Sequence, residues 1–450
     1  MDSELNNKHL IILGLARQGK ALARFAAAAG AFVTVTDLRS AETLQTTLAE
    51  LSDLNIEFIL GEHPMTLLDK ADMIAISGGV PTQVPLVQAA RERNIPVTND
   101  SQEFIKRVPT AVIGITGSSG KTTTTALTGI MGQISGRTTW IGGNIGRPLI
   151  ADLHKMNPGD MVVQELSSFQ LEIWNHSPHV AAVLNITPNH LDRHKTMGAY
   201  TDAKANILRH QNENDIAVLA ADDPGALALE HEVCGRLRTF SLRGVVEDGA
   251  FVRNSEIWVR NGDEKRVCPL DDIQLRGQHN VLNVLAAVTL ADSVGVPVDA
   301  MAQAIRTFKG VEHRLELVRE HRGIRYINDS IATAPERAIA ALSAFDEPLI
   351  LLAGGQDKDM AWDAWTKQVS QRAKHVILFG KLADMLQQRL HTAGYDAIIH
   401  EQTLAEAVTA AAQIAEAGDI VLLSPGGTSF DAFVDFAERG KQFRELVNRL

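Results

Sequence analysis

The chain has 450 residues, a length typical of about three domains. Its hydrophobic fraction of 45% and charged fraction of 22% are ordinary for a globular protein with buried cores. The net charge of −11 argues against a general nucleic-acid or anionic-membrane surface, though it does not exclude a local basic pocket for phosphates. The two cysteines, Cys234 and Cys268, are too few for a disulfide framework and lack the spacing of a zinc site.

The first eight residues are polar and acidic, unlike a signal peptide. Apolar runs such as residues 10–13 and 348–353 are far too short to span a bilayer. These features predict a cytoplasmic protein without membrane insertion, and a monomer is the plain expectation.

Short apolar runs alternate with amphipathic stretches of helical length, a pattern typical of α/β proteins with parallel sheets. In chain order, strands are predicted at residues 9–13, 32–36, 73–77, 111–116, 161–164, 180–185, 218–220, 326–328, 349–353, 375–379 and 420–424. Helices are predicted at 20–29 and 404–417, and residues 240–268 predict a small β-rich insertion. The pattern indicates three domains, at residues 1–107, 108–310 and 311–450.

The strongest local motif is the glycine-rich segment GITGSSGKT at residues 114–122, between a predicted strand and a predicted helix. Glycines let backbone N–H groups surround a phosphate, and a helix N-terminus favours negative charge. Lys121 would reach the β- and γ-phosphates, and the Thr122 hydroxyl would bind Mg²⁺. Ile115 occupies the first glycine position of the strict motif. The alternative is a glycine-rich turn with a solvated lysine.

An earlier loop, GLARQG at residues 14–19, follows the first predicted strand, and Asp37 ends the second. This arrangement resembles a mononucleotide site at the first turn of a Rossmann-like sheet. A plain strand–helix turn is an equal alternative. Since the chain has no second phosphate loop, this domain is expected to hold a nucleotide other than ATP.

Polar residues follow two further predicted strands. Glu165 lies just past one strand end, where P-loop proteins usually hold Mg²⁺. The segment NHLDRH at 189–194 follows the next strand and combines two histidines with an acid and an arginine. We expect metal and phosphate binding here. Lys204 lies on the following predicted helix, where spacing alone indicates only a solvated lysine.

Several motifs together resemble the Mur ligases, over essentially the whole chain. They are TGSSGKT (116–122), GGNIG (142–146), ELSSFQL (165–171), NHLDRH (189–194), GQHN (277–280) with Asn283, the pair His313-Arg314, and NDS (328–330). Within the family, the short first domain and the C-terminal motif at 423–431 are most similar to the glutamate-adding branch.

The resemblance implies a three-domain Mur ligase architecture, with a Rossmann-like N-terminal domain, a P-loop ATPase domain and a Rossmann-like C-terminal domain. It implies an ATP- and Mg²⁺-dependent ligase of peptidoglycan precursor synthesis. The enzyme would add D-glutamate to UDP-N-acetylmuramoyl-L-alanine through an acyl phosphate.

The resemblance also implies roles for individual residues. UDP-substrate binding would involve Gly14, Leu15, Asp37, Arg39, Asn144 and His190. ATP binding would involve Gly117, Ser118, Ser119, Gly120, Lys121, Thr122, Thr123, Asn280, Arg314 and Asp329. Metal ligands would be Thr122, Glu165, His190 and Lys204, with Lys204 carbamylated. The catalytic set would be Lys121, His190, Lys204 and Arg314, and the amino-acid pocket would contain Thr333, Lys358, Ser429 and Phe436.

One residue departs from the family pattern. Members that add D-glutamate usually have a lysine where this chain has Ile331. Loss of a cation beside a substrate carboxylate weakens or alters binding, so an L-glutamate-adding enzyme is the main alternative. Further alternatives are a ligase that acts on a folate and a nucleotide-binding regulator without catalysis. The UDP-type first domain argues against the former, and intact Lys121, Glu165 and His190 argue against the latter.

Overall fold

The computed structural model describes residues 4–275, 277–357 and 360–450. The chain divides into two compact units, Met1–Phe308 and Lys309–Leu450. Within the described residues, helices that are both long and apolar enough to cross a membrane are absent.

The first unit begins with a parallel five-stranded sheet in the order β3-β2-β1-β4-β5. Its strands are β1 His9–Leu13, β2 Phe32–Asp37, β3 Ile56–Leu60, β4 Met73–Ile76 and β5 Val97–Thr98. Its helices are α1 Arg17–Ala28, α2 Gln45–Glu50, α3 Pro85–Glu92 and α4 Asp100–Ile105, with a 3₁₀ turn at Met65–Asp69. The central strands are apolar on both faces because helices cover a parallel sheet on both sides.

The second sheet of the first unit has nine strands in the order β14-β13-β12-β11-β10-β9-β6-β8-β7. They are β6 Val112–Thr116, β7 Thr139–Gly143, β8 Met161–Glu165, β9 Val180–Val183, β10 Ile216–Ala220, β11 Arg236–Ser241, β12 Gly249–Arg253, β13 Glu256–Asn261 and β14 Asp263–Pro269. The helices are α5 Lys121–Ile134, α6 Ser168–Leu171, α7 Leu191–His194, α8 Met197–Arg209, α9 Pro224–Leu227, α10 Gln278–Ser293 and α11 Val298–Thr307. Three 3₁₀ turns lie at Leu149–Lys155, Ala228–Glu232 and Leu270–Asp272. Strands β6–β12 pair in parallel, which brings the carboxyl ends of β6, β8 and β9 to one edge.

The segment 240–268 is β-rich, as predicted, but it extends this sheet instead of forming a separate insertion. Strands β12, β13 and β14 pair antiparallel at the sheet's end. The guanidinium of Arg238 on β11, which is 0% exposed, joins this extension to α10. It donates to Asp248 Oδ1 and to Asp292 Oδ2, each at 2.7 Å, and to Arg260 O at 2.9 Å. The extension is therefore tied to the core by a buried ion-pair network.

We expect Arg238→Met to destabilise the first unit by about 3–5 kcal/mol, because it leaves two carboxylates without their buried partner. The free energy of unfolding in urea, followed by circular dichroism, measures the effect. Arg253→Met is the matched control, since Arg253 pairs with Glu264 at the surface and should contribute less than about 1 kcal/mol. Equal stability of the two variants would contradict the network's role.

The second unit contains a six-stranded sheet in the order β15-β16-β20-β17-β18-β19. The strands are β15 Glu316–His321, β16 Ile324–Asn328, β17 Leu349–Gly354, β18 Ala373–Phe379, β19 Ile398–His400 and β20 Ile420–Gly426. The helices are α12 Pro335–Leu342, α13 Asp363–Arg372, α14 Ala383–Thr392, α15 Leu404–Ile414 and α16 Phe436–Asn448. Only β15 runs antiparallel to its described neighbour, so the carboxyl ends of β16, β17 and β20 share one edge.

The predicted α/β class is confirmed by these three largely parallel sheets. Helix α15 begins at Leu404, as predicted, where Thr403 and Glu406 form a capping box. It ends at Ile414, three residues before the predicted end at residue 417. The domain boundaries at 107/108 and 310/311 stay predictions.

Candidate active site

The glycine-rich loop connects β6 to α5. Gly120 precedes α5 at φ +80°, and a Cβ there would lie 2.2 Å from Asn283 Oδ1, so a side chain would be both strained and obstructed. Ile115, the departure from the strict motif, is a buried residue of β6 paired with Glu165 of β8. The motif's first glycine position is therefore part of the core, and the turn predicted to bind phosphate comprises residues 117–120.

A second segment, which follows β9, holds this loop in shape. Asn185 accepts hydrogen bonds from the backbone N–H of Ser118, through its carbonyl at 3.0 Å, and of Ser119, through Oδ1 at 2.8 Å. The Ser118 hydroxyl donates to Thr187 O at 3.0 Å and accepts from the Tyr200 hydroxyl at 3.0 Å. Both segments are thus preorganised together at the carboxyl edge of the sheet.

Two lysines converge on the same loop carbonyl. Lys121 Nζ donates to Gly117 O at 2.7 Å and to Ser118 O at 3.3 Å. Lys204 Nζ, from α8, donates to Gly117 O at 2.9 Å and to Thr116 Oγ1 at 3.2 Å. The predicted catalytic lysines are therefore neighbours, although they are 83 positions apart in the sequence.

Lys204 is not the solvated lysine that spacing indicates: it is 1% exposed. Burial lowers its pKa well below the ordinary value, and the positive charge of Lys121 lowers it further, while Glu165 opposes the shift. Its Nζ lies 4.8 Å from the centre of the Tyr200 ring. A buried amine with a depressed pKa has a larger neutral fraction, which makes it more nucleophilic at neutral pH.

Thr122, Glu165 and Asn144 form a connected group. Thr122 Oγ1 donates to Glu165 Oε2, and Asn144 Nδ2 donates to Glu165 Oε1, both at 2.8 Å. Glu165 is almost fully buried. The predicted metal ligands Thr122 and Glu165 are therefore in contact, and Asn144, predicted to bind the UDP substrate, orients the carboxylate.

His190 lies at the start of α7 in an exposed position. Its φ of +53° is uncommon for a residue with a side chain, and its ring centre lies 5.0 Å from that of Phe169. Arg193 lies over the same Phe169 ring, 3.9 Å from its centre, and donates to Val80 O of the first sheet's loop at 3.0 Å. The strained backbone at His190 is consistent with a functional position, and its role as a metal ligand stays a prediction.

Over the described part of the chain, no cluster of three His, Cys, Asp or Glu side chains is arranged to hold a metal. Mg²⁺ sites commonly combine one carboxylate with water and substrate phosphates. The hydroxyl of Thr122 and the carboxylate of Glu165 are oxygen donors of the required type.

In the first sheet, Asp37 fixes the loop predicted to bind UDP. Its Oδ2 accepts the Leu15 backbone N–H at 2.7 Å, and Arg39 Nε donates to its Oδ1 at 2.9 Å. Burial alone would raise the pKa of Asp37, but the hydrogen bonds from Arg39 and Leu15 outweigh it and lower the pKa to about 2. Gly14 precedes this turn at φ +90°. Asp37 therefore supports the loop and holds the half-exposed Arg39 beside it.

Helix α10 faces the phosphate loop with its first turn. Asn283 Nδ2 donates to Asn280 Oδ1 at 3.1 Å, and Asn283 packs against Gly120. The predicted adenine contact at Asn280 is thus held by a side chain that also contacts the phosphate loop.

In the second unit, Arg314 and Asp329 are close to each other. Asp329 accepts Leu315 N–H at 3.2 Å and the Ser424 hydroxyl at 2.9 Å. Burial raises its pKa to about 7, although the charge of Arg314 opposes the shift. His313 and Leu315, which flank Arg314, have φ of +62° and +44°, the kind of strain that is concentrated at functional sites.

The predicted amino-acid residues lie at the carboxyl edge of the second unit's sheet. Thr333 follows β16, Ser429 follows β20, and Phe436 begins α16. Ser429 is fully buried. Lys358 lies outside the described residues.

Ile331, the departure from the family pattern, is partly buried in the same loop as Thr333. Its carbonyl accepts a hydrogen bond from Arg337 Nη1 at 3.3 Å, and the charge of Arg337 lowers the pKa of Asp329. A guanidinium from α12 therefore lies beside the loop where the usual lysine is missing.

Comparison with known proteins matches three successive segments of the chain to domains of Mur ligases. Residues 8–99 match the model of the MurD-like N-terminal domain of Mur ligases, 115–291 the Mur ligase middle domain, and 313–427 the Mur ligase glutamate ligase domain. A protein from Pelotomaculum thermopropionicum is 39% identical over 99% of both chains, and one from Symbiobacterium thermophilum is 42% identical over 98% of this chain and 97% of its own. The chain belongs to the Mur ligase family.

Both relatives, and a third from Clostridium tetani at 38% identity, are named UDP-N-acetylmuramoylalanine–D-glutamate ligase. The Mur ligase MurC from Thermotoga maritima is 21% identical, with a TM-score of 0.56 over 98% of this chain and 99% of that chain. MurF from Thermotoga maritima, solved in complex with ADP, is 17% identical, with a TM-score of 0.53 over 100% of both chains. The predicted three-domain Mur ligase architecture is confirmed.

Three residues that support the candidate site of this Mur ligase are absent from the sequence-based prediction. Asn185, Tyr200 and Arg439 make side-chain hydrogen bonds to residues far away in the sequence, which only folding brings close. Asn185 ends the predicted strand before the NHLDRH segment, so its place at a strand end was a usable signal. Arg439 has no comparable signal, because an arginine on an amphipathic helix is ordinarily solvated.

Proposed function

We propose that this Mur ligase uses ATP to join D-glutamate to UDP-N-acetylmuramoyl-L-alanine in peptidoglycan precursor synthesis. The observation that supports this function is end-to-end identity of 38–42% with relatives named for that reaction. The proposed reaction takes place in the cytoplasm, where ATP is available. The chain is proposed to act as a monomer.

The proposed first step activates a carboxylate, which does not react with an amine at neutral pH. A carboxylate oxygen of the alanyl group attacks the γ-phosphorus of ATP, the bond to the β-phosphate oxygen breaks, and ADP leaves. Lys121 and the backbone N–H groups of the loop from Gly117 to Gly120 would stabilise the charge on the phosphates. Arg314 is proposed to bind ATP as well and to add positive charge during the transfer. Positioning and electrostatics supply most of the rate enhancement in such a reaction.

Thr122 and Glu165 would hold Mg²⁺, and His190 and Lys204 would hold a second ion. When bound, Mg²⁺ supplies positive charge that neutralises the phosphate oxygens. Asn144 keeps the Glu165 carboxylate in position through its 2.8 Å hydrogen bond.

Lys204 would serve as an anionic ligand after carbamylation, because a carbamate supplies the oxygen donors that Mg²⁺ prefers, whereas an ammonium group has no lone pair. In that reaction the neutral amine adds to carbon dioxide, an N–C bond forms, and one proton leaves to solvent. The depressed pKa of Lys204 favours the neutral amine that this reaction requires.

The proposed second step forms the amide bond. The neutral amine of glutamate attacks the acyl carbon, the bond from that carbon to the phosphate oxygen breaks, inorganic phosphate leaves, and the nitrogen releases one proton to solvent. Thr333, Ser429, Phe436 and Lys358 would orient the amino acid. Asn280 and Asp329 would contact ATP, and Asp37 with Arg39 would contact the uracil.

We expect phosphate release and product formation with D-glutamate, and turnover at least about a hundredfold slower with L-glutamate, because a chiral pocket leaves polar groups unpaired with the wrong isomer. The assay supplies UDP-N-acetylmuramoyl-L-alanine, ATP and Mg²⁺, with each isomer in a separate reaction, and measures product mass. Omission of glutamate is the control for simple ATP hydrolysis. Turnover with L-glutamate alone would overturn the D-glutamate assignment, and inactivity with both isomers would overturn the proposed substrate.

A further inference from the structure

Arg439 is a buried arginine in the first turns of α16, and its side chain is 0% exposed. Its Nε donates to Ser330 Oγ at 3.0 Å, and its Nη2 donates to Ser330 O at 2.9 Å. Its Nη1 donates to Gly427 O at 3.2 Å. The guanidinium therefore connects the loop after β16 with the end of β20.

A third loop packs against the same guanidinium. A Cβ on Gly355, which follows β17 at φ +104°, would lie 3.1 Å from Arg439 Nη1 and 2.2 Å from Thr428 O. Backbone hydrogen bonds join Gln356 to Thr428 in both directions, at 2.8 and 3.0 Å. Three loops at the carboxyl edge of the sheet thus meet around one side chain.

The charge of Arg439 has no hydrogen-bonded carboxylate among the residues described, since its three bonds go to a hydroxyl and two carbonyls. Burial lowers its pKa to about 10, while the charge of Asp431 opposes the shift. The side chain therefore stays cationic at neutral pH. A buried cation without a hydrogen-bonded carboxylate is costly, and the charge of Asp431 offsets the effect of burial only in part.

The residues that Arg439 holds are the neighbours of the predicted amino-acid pocket. Ser330 Oγ, its first acceptor, donates to Phe436 O at 2.8 Å. Thr333 lies three residues after Ser330, and Ser429 lies two residues after Gly427. Movement of the guanidinium would therefore displace the segments that lead to Thr333 and Ser429.

We propose that Arg439 is a positioning residue for the amino-acid substrate: it orders the Ser330 and Gly427 loops, and its buried charge favours an amino acid with an acidic side chain. This inference rests on the proposed function. It adds Arg439 to the residues that determine substrate binding, and its charge explains why an amino acid with a second carboxylate is preferred. The guanidinium acts indirectly: it holds the two loops in position, and its positive charge attracts the substrate carboxylate electrostatically.

The test compares Arg439→Met, Arg439→Lys and wild type by steady-state kinetics with D-glutamate. Loss of hydrogen bonds from a charged donor should raise the KM for D-glutamate at least about tenfold in Arg439→Met. The KM for the UDP substrate should stay within about twofold of wild type, because its predicted binding residues lie in the first unit. The KM for ATP is not used as a control, because Asp329, a predicted ATP-binding residue, directly precedes Ser330. Arg319→Met is the matched control, since Arg319 donates to carbonyls at the opposite end of α16.

Charge selectivity separates the proposed role from simple support of the fold. The ratio of kcat/KM for D-glutamate to that for D-glutamine should fall about tenfold in Arg439→Met and be largely retained in Arg439→Lys, which keeps the charge. An unchanged ratio in Arg439→Met would overturn the inference.

If Arg439→Met does not fold, Ser330→Ala tests whether the contact between Arg439 and Ser330 affects D-glutamate binding. It removes the hydroxyl between Arg439 and Phe436, and it should raise the KM for D-glutamate about threefold or more. An unchanged KM in this variant would also overturn the inference. Wild type is measured first: an inactive wild type overturns the proposed function, whereas an active wild type with unaltered variants overturns only the role of Arg439.

Discussion

Replacement of Lys204 by alanine should lower kcat for ligation by roughly 10²–10³-fold, because it removes a buried group at the centre of the phosphate loop. Its amine contacts the same Gly117 carbonyl as Lys121, and it is the side chain proposed to become an anionic metal ligand. Phosphate release with all substrates present measures the loss. Lys155→Ala is the matched control, since Lys155 is a surface lysine of the first unit that pairs with Asp152.

The same proposal predicts a dependence on carbon dioxide and pH. The amine must be neutral to add carbon dioxide, and its depressed pKa makes the neutral form available at lower pH than for an ordinary lysine. Activity should therefore fall as the pH decreases and Lys204 is protonated, and bicarbonate should restore activity to enzyme prepared without carbon dioxide. Full activity of Lys204→Ala, or activity indifferent to bicarbonate, would count against carbamylation.

Lys121→Ala should lower kcat/KM by about 10³-fold or more, since the residue would carry the positive charge nearest the transferred phosphate. In the folded chain Lys121 Nζ donates to the carbonyls of Gly117 and Ser118, so the loop itself holds the ammonium group. Phosphate release measures the catalytic loss, and calorimetry with ATP measures the loss of nucleotide binding.

Lys121→Arg separates charge from shape in that experiment. A guanidinium keeps the charge but is too large and planar for the position of an ammonium in a tight loop, so we expect little recovery. Circular dichroism verifies that both variants fold. Activity of Lys121→Ala above about a tenth of wild type would show that this loop does not bind the transferred phosphate.

The departure at Ile331 has a structural context that sequence alone did not provide. Arg337 donates to the Ile331 carbonyl from α12 and acts electrostatically on Asp329. A cation is thus present beside this loop, although it comes from a different position in the chain. This is compatible with relatives of up to 42% identity that are named for the D-glutamate reaction.

Much of the fold was predictable because parallel sheets buried on both faces leave continuous apolar runs in the sequence. Strand β1 at His9–Leu13 matches its prediction residue for residue. Strand β9 ends at Val183, two residues before the predicted 185, because Leu184 and Asn185 leave the strand to support the phosphate loop. Helix α1 begins at Arg17 instead of at residue 20, since its first turn belongs to the loop that follows β1.

The candidate site also contains residues that the sequence indicates and residues that it does not. Lys121 and Thr122, which are close in sequence, could be predicted because the glycine-rich loop is a local structure. Lys204 and Arg439 were not, since a lysine or arginine on a helix is solvated in most proteins. Only the resemblance to the Mur ligases pointed to Lys204, and nothing in the sequence pointed to Arg439.

The sequence by itself determined the α/β class, the glycine-rich turn between β6 and α5 and the strand ends that carry polar residues, because each depends on the order and spacing of neighbouring residues. The tertiary structure alone decided which charges are buried and which side chains meet. Asn144, Glu165 and Thr122 form one hydrogen-bonded group because β7, β8 and α5 are adjacent in space. Burial and electrostatic coupling arise from packing between distant segments, and they make Lys204 and Arg439 buried residues instead of the solvated helical cations that spacing indicates.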